Sequence, residues 1–140
     1  MGSVSVTIPV LWGDMDALGH VNNARYFRWL ESARIALFER IGLIGASASR
    51  QTGVGPILAT TSCDFLIPVH YPGSIRTDVR VTRVGETSMT MEYEIRDAAA
   101  ADRLYAKASS VVVLVDYTTM QKVRVPDEMR KAIEVIASGS

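Results

Sequence analysis

The sequence predicts an α+β domain: a five-stranded antiparallel sheet wrapped around one long central helix, with a short helix at the C-terminal end. Three observations carry that expectation. One stretch, Ala24 to Ile41, repeats apolar residues at helical spacing and is apolar well beyond a single stripe. Four strand-like segments follow it, joined by connections too short for parallel crossovers. The chain has 140 residues and is 48% hydrophobic, enough for one core and too little for two ordinary domains, so residues 1–140 read as one folding unit.

The elements follow in order. Val4, Val6, Ile8 and Val10 alternate with polar residues and mark a half-buried first strand. In the central helix Tyr26, Leu30, Ala33, Leu37 and Ile41 step down one face, while Phe27, Trp29, Ile35, Ala36 and Phe38 widen the apolar surface until only a surrounding sheet would cover it. Asn22 or Asn23 can cap its start, and Gly42 and Gly45 end it. After a glycine-rich linker, Gly42 to Gly55, the segments Val54 to Val69, Ser74 to Val84, Thr87 to Asp97 and Arg103 to Val115 have strand character. Between them, His70-Tyr71-Pro72-Gly73 and Gly85-Glu86 are tight turns, and an alanine-rich turn spans Asp97 to Asp102. Pro126 to Ala137 closes with an amphipathic helix carrying Asp127 and Glu128 in its first turn. A sheet of this kind leaves edge strands and an open helix face, so a homodimer, or a dimer of dimers, is expected.

Composition excludes several classes of function. Fifteen Lys and Arg balance fifteen Asp and Glu, giving no electrostatic case for a nucleic-acid partner. The single cysteine, Cys63, cannot form an internal disulfide framework and reads as a buried small hydrophobe. The first ten residues lack a basic leader pattern, and no run approaches the roughly 18 apolar residues of a membrane span, so a cytoplasmic location with no membrane partner is expected.

Chemistry concentrates in Asp14, Asp16, His20, Asn22, Asn23 and Arg25, between the first strand and the central helix. A helix N-terminus presents unpaired N–H groups and a field that favours negative charge, so a carbonyl held there would have its developing oxyanion stabilised. A carboxylate or imidazole a few residues earlier could attack it or activate water. The same Asx residues, with Gly19, equally shape an ordinary loop and cap. His20 with Asp14 and Asp16 offers a mixed metal set, but no second histidine stands at helical spacing, so no metal is expected. Neither a phosphate loop nor a dinucleotide fingerprint is present, and no cofactor is implied.

The run Trp12-Gly13-Asp14-Met15-Asp16-Ala17-Leu18-Gly19-His20-Val21-Asn22-Asn23-Ala24-Arg25-Tyr26-Phe27-Arg28-Trp29-Leu30-Glu31 resembles the signature of the hotdog-fold acyl-CoA thioesterases related to the hydroxybenzoyl-CoA thioesterases, in their Gly-His-Val-Asn-Asn branch. The order of elements fits that family over the whole domain. The resemblance implies hydrolysis of a thioester between an acyl group and coenzyme A or an acyl carrier. It makes Asp16 the catalytic carboxylate, as nucleophile or general base, and the N–H of Asn23 the group that polarises the carbonyl. Asp14, Gly19 and Asn22 then shape the loop. His20 either orients substrate or water, or hydrogen-bonds Asp16. The hydroxybenzoyl branch is apolar at His20, which speaks against an aromatic substrate.

Other residues keep two readings. Tyr26 packs in the core or lines the acyl pocket. Glu31, three residues from both Arg28 and Arg34, suggests a solvated or interface ion pair. Asp64 faces the site across a dimer interface or faces solvent. Arg76, Arg80 and Arg83 meet coenzyme A phosphates or keep the sheet soluble, with Arg76 and Arg80 on one face and Arg83 on the other. An acyl-thioester hydratase or dehydratase, and a non-catalytic acyl-CoA-binding module, are the competing functions.

Overall fold

The structure, a computed structural model, describes residues 2–44 and 53–139. Strand β1 (Val4–Pro9) leads through a 3-10 turn (Trp12–Asp14) to helix α1 (Asn23–Arg40). Then come β2 (Val54–Phe65), β3 (Ser74–Val84), β4 (Ser88–Asp97), β5 (Leu104–Asp116) and helix α2 (Asp127–Ala137). The five strands form one sheet in the order β1-β3-β4-β5-β2, with every neighbouring pair antiparallel. One face carries Ile75, Val79, Met89, Met91, Tyr93, Ile95, Val112 and Leu114, all fully or almost fully buried, and α1 lies across it. The opposite face carries Arg76, Asp78 and Arg80 of β3 and Glu92, Glu94 and Arg96 of β4.

Helix α1 buries Tyr26, Trp29, Leu30, Ala33, Leu37 and Phe38 against this face, with Ile41 just past its end. Gly42 there takes a positive φ of 79°, a conformation that costs glycine little. Gly45, and the linker from there to residue 52, lie outside the described residues. The helix is not fully wrapped, because Phe27 and Ile35 remain exposed. Arg34 departs from the ion-pair expectation. It lies on the buried stripe with Tyr26 and Leu30, and no ion pair joins Glu31 to Arg28 or Arg34 among the described residues.

Two strands differ from the expected pattern. Strand β2 stops at Phe65, short of Val69: the N–H groups of Leu66 and Ile67 both turn to the Tyr105 carbonyl, and Pro68 then lacks a donor for the ladder. In β3 the register shifts between Val81 and Arg83, so a bulge at Thr82 sets Arg83 opposite Thr90. That extra residue returns Arg83 to the face shared by Arg76 and Arg80, where strict alternation would place it on the other.

Candidate active site

The loop before α1 is built from backbone bonds that side chains complete. The Asn22 side chain accepts from the Ala24 N–H at 2.9 Å and caps the helix, while the Asn22 N–H donates to the Asp14 carbonyl at 2.9 Å. Asn23 is the first helical residue, and among the described residues its N–H has no acceptor. Asp14 is buried: one carboxylate oxygen accepts from the Leu11 N–H at 2.8 Å and the other lies 3.4 Å from Nε of Arg25. Met15 pairs with Val21 in an isolated bridge, which sets residues 14–16 against the start of the helix.

Asp16 is half-buried at the base of a tight turn. Its N–H donates to the His20 carbonyl at 2.8 Å, and its carbonyl accepts from Gly19 at 3.2 Å. Its Oδ1 accepts from the N–H of Leu18 at 2.9 Å and of His20 at 3.4 Å, leaving Oδ2 uncommitted among the described residues. Gly19 takes a φ of 83°, the left-handed conformation the turn requires. It is thus the His20 backbone that bonds Asp16; the His20 ring stands beside His70, with ring centroids 5.5 Å apart.

His70 is the residue that sequence reasoning missed. It stands fifty residues from His20, in the connection between β2 and β3, and no local spacing links the two. Its Nδ1 lies 3.1 Å from the Gly19 carbonyl oxygen. Its neighbour Val69 is buried, accepting from the Val21 N–H at 3.1 Å and donating to the Tyr26 hydroxyl at 3.3 Å. Tyr26 is buried too, with its ring 4.8 Å from that of Phe65 in an edge-to-face contact.

The remaining candidates do not join this cluster. Asp64 pairs with Lys107, and Arg76 with Arg96, on the sheet face that turns away from α1. Arg76, Arg80 and Arg96 are already engaged there with Asp78, Glu92 and Glu94 at 3.1 to 3.2 Å. Arg83 lies exposed on the same face and makes no ion pair among the described residues.

Residues 10–133 match the thioesterase-like superfamily. The chain belongs to this family. Its antiparallel five-stranded sheet, long central helix and short C-terminal helix form the hotdog fold. Among solved structures, the PA2801 protein of Pseudomonas aeruginosa is 34% identical, with a TM-score of 0.82 over 94% of this chain and 98% of that one. The YsmA protein of Bacillus subtilis is 28% identical over 86 residues, 61% of this chain and 56% of the relative, so the match spans little more than half of YsmA. The 1,4-dihydroxy-2-naphthoyl-CoA hydrolase of Prochlorococcus marinus is 25% identical over 137 residues, covering 93% of this chain and 89% of that protein.

In this thioesterase-like chain, burial raises the Tyr26 pKa above its ordinary value, against the opposing effect of the Val69 N–H bond. Burial, aided by the Asp64 carboxylate, pushes the Cys63 thiol up to about 11, so neither group is an anion at neutral pH. No cluster of three His, Cys, Asp or Glu side chains among the described residues is arranged to hold a metal ion. No described helix is long and apolar enough to cross a membrane.

Proposed function

We propose that the protein hydrolyses acyl thioesters of coenzyme A, or of an acyl carrier, to free acid and thiol. The observation that carries this reading is the loop that leads into α1, where the Met15–Val21 bridge and the bond from Asn22 to Asp14 hold the Asp16 turn against the residues that precede the helix. Among the described residues Asp16 keeps one carboxylate oxygen uncommitted, and Asn23, the first residue of α1, presents an N–H without an acceptor. A thioester carbonyl bound between them would build negative charge on its oxygen at that N–H, where the helix dipole favours it. Asp16 would either attack the carbonyl carbon, giving an anhydride that water then cleaves, or take a proton from attacking water. On both routes the C–S bond breaks, the sulfur leaves as a thiolate and is protonated, and one water is consumed for each acid released. Family membership and the Prochlorococcus relative, named for hydrolysing a coenzyme A thioester, support the substrate class.

The working unit in this reading is a homodimer. Strand β2 is a sheet edge, and Leu58, Phe65, Leu66 and Ile67 are exposed on it or just beyond, with the Phe65 ring 6.4 Å from that of Phe27 on α1. An edge with unpaired backbone groups beside apolar side chains is the surface a second copy would cover.

The test is free-thiol release from short, long and aromatic acyl-CoAs by wild type and Asp16→Asn at matched oligomer content. Turnover that falls at least about a hundredfold in the variant is expected. Acyl-CoA binding without thiol release from any of the substrates would replace this reading with a binding module, and an equally active variant would remove Asp16 from the mechanism.

A further inference from the structure

We propose that His70 is a positioning residue that orients the Asp16 carboxylate through the Gly19–His20 peptide. The inference rests on the assignment of Asp16 above. Ala17, Leu18, Gly19 and His20 are all exposed, so the tip of the turn projects from the body of the protein. Among the described residues, the contacts that reach this tip from another element come from His70: the hydrogen bond to the Gly19 carbonyl and the ring contact with His20. His70 itself extends from Val69, which is anchored by Val21 and by the buried Tyr26 hydroxyl.

The bond reaches Asp16 through covalent geometry. The Gly19 carbonyl and the His20 N–H belong to one planar peptide group and point in opposite directions. Holding the carbonyl toward His70 aims the N–H at Oδ1 of Asp16, where it lies at 3.4 Å. Leu18 donates to the same oxygen at 2.9 Å, so the two N–H groups together fix which carboxylate oxygen stays uncommitted. Without His70 this peptide loses its outer restraint, and glycine at position 19, which populates both signs of φ, lets it tilt within the turn that the backbone bonds between Asp16, Gly19 and His20 close. A carbonyl oxygen only accepts, so Nδ1 of His70 carries the proton and donates; the bond is therefore available to both the neutral and the charged imidazole.

Two variants separate the donor from the ring. In His70→Asn the side-chain amide can supply an N–H near the position of Nδ1; His70→Phe keeps an aromatic ring without the donor. Amide hydrogen exchange of Leu18 and His20 reads the loop without any need for turnover. The expected result is exchange faster by about tenfold in His70→Phe, the effect of one lost hydrogen bond, and close to wild type in His70→Asn. With a hydrolysed substrate, kcat should fall about tenfold in His70→Phe with KM within about twofold, and recover in His70→Asn. Unchanged exchange in His70→Phe, or equal loss in both variants, overturns the proposal. A wild-type protein that releases no thiol refutes the functional reading instead, and the exchange data still decide whether His70 holds the loop.

Discussion

The guanidinium of Arg34 donates to the hydroxyl oxygen of Tyr93 at 3.2 Å between α1 and the sheet, and no carboxylate among the described residues lies within ion-pair distance of it. Arg34 is only 8% exposed, and Tyr93 in turn shares a hydrogen bond with Ser110. A buried cation whose partner is a neutral hydroxyl is poorly compensated for its lost hydration. Its two ends should therefore respond differently to substitution. Tyr93→Phe leaves the cation and Ser110 without this partner and should cost about 1–3 kcal/mol. Arg34→Met keeps the bulk and removes the charge, and should be neutral or stabilising. Urea unfolding at one protein concentration checks both, and a loss above about 1 kcal/mol in Arg34→Met would contradict the argument.

Asn22 links stability to the proposed oxyanion site, because its side chain closes the turn from which α1 starts. Asn22→Ala should cost about 1 kcal/mol, and Asn22→Asp should recover most of it, since either side chain accepts from the N–H of Ala24. The same loss frays the first turn that presents the Asn23 N–H, so thiol release should fall in Asn22→Ala and return in Asn22→Asp. A stable but inactive Asn22→Asp variant would show that the amide has a role beyond capping.

Much of the fold was legible because spacing is a direct imprint of the environment of a helix or strand. Tyr26, Leu30, Ala33 and Leu37 recur every three or four residues and are all buried, and the alternation in β4 places Met89, Met91, Tyr93 and Ile95 on one face. Where geometry departs from periodicity, the pattern gave no warning. The bulge at Thr82 moved Arg83 to the other face, and nothing in the order Val81-Thr82-Arg83-Val84 marks it. Arg34 looks like a surface partner for Glu31 until the helix stripe it shares with Leu30 is seen against Tyr93. The local run around Asp16 was legible as a motif, whereas His70 reaches it only through the folding of the β2–β3 connection. Asp64, an acid in an apolar strand, carried no signal for which face it takes, and its pairing with Lys107 sets it on the sheet face away from α1.

Cys63 should be slow to react with alkylating agents. Its thiol pKa of about 11, raised by burial and then by the Asp64 carboxylate, leaves about a hundredfold less thiolate at pH 7.5 than its ordinary value of 9.0 would. Iodoacetamide labelling of the folded protein should therefore rise about tenfold per pH unit up to pH 10, and unfolding in urea should restore the rate of a free thiol. Rapid labelling at neutral pH would mean that the thiol is neither buried nor raised.

Asp97 should contribute to stability in a way that is lost on acidification. Its carboxylate accepts from the Ala99 N–H at 2.8 Å and from the Tyr105 hydroxyl at 3.0 Å, and these bonds hold its pKa below the ordinary carboxylate value, the Ala99 bond most strongly. A folded pKa below the unfolded one means that the unfolded chain takes up the proton first as pH falls. The contribution is thus complete above the ordinary carboxylate pKa, declines below it, and is gone once the pH has passed beneath the lowered native value. Asp97→Asn should accordingly be less stable than wild type at pH 7, with the difference shrinking as the solution is acidified through the carboxylate range. Urea midpoints for both proteins across that range provide the measurement. A gap that stays constant with pH would show that the two bonds do not depend on the charge of Asp97.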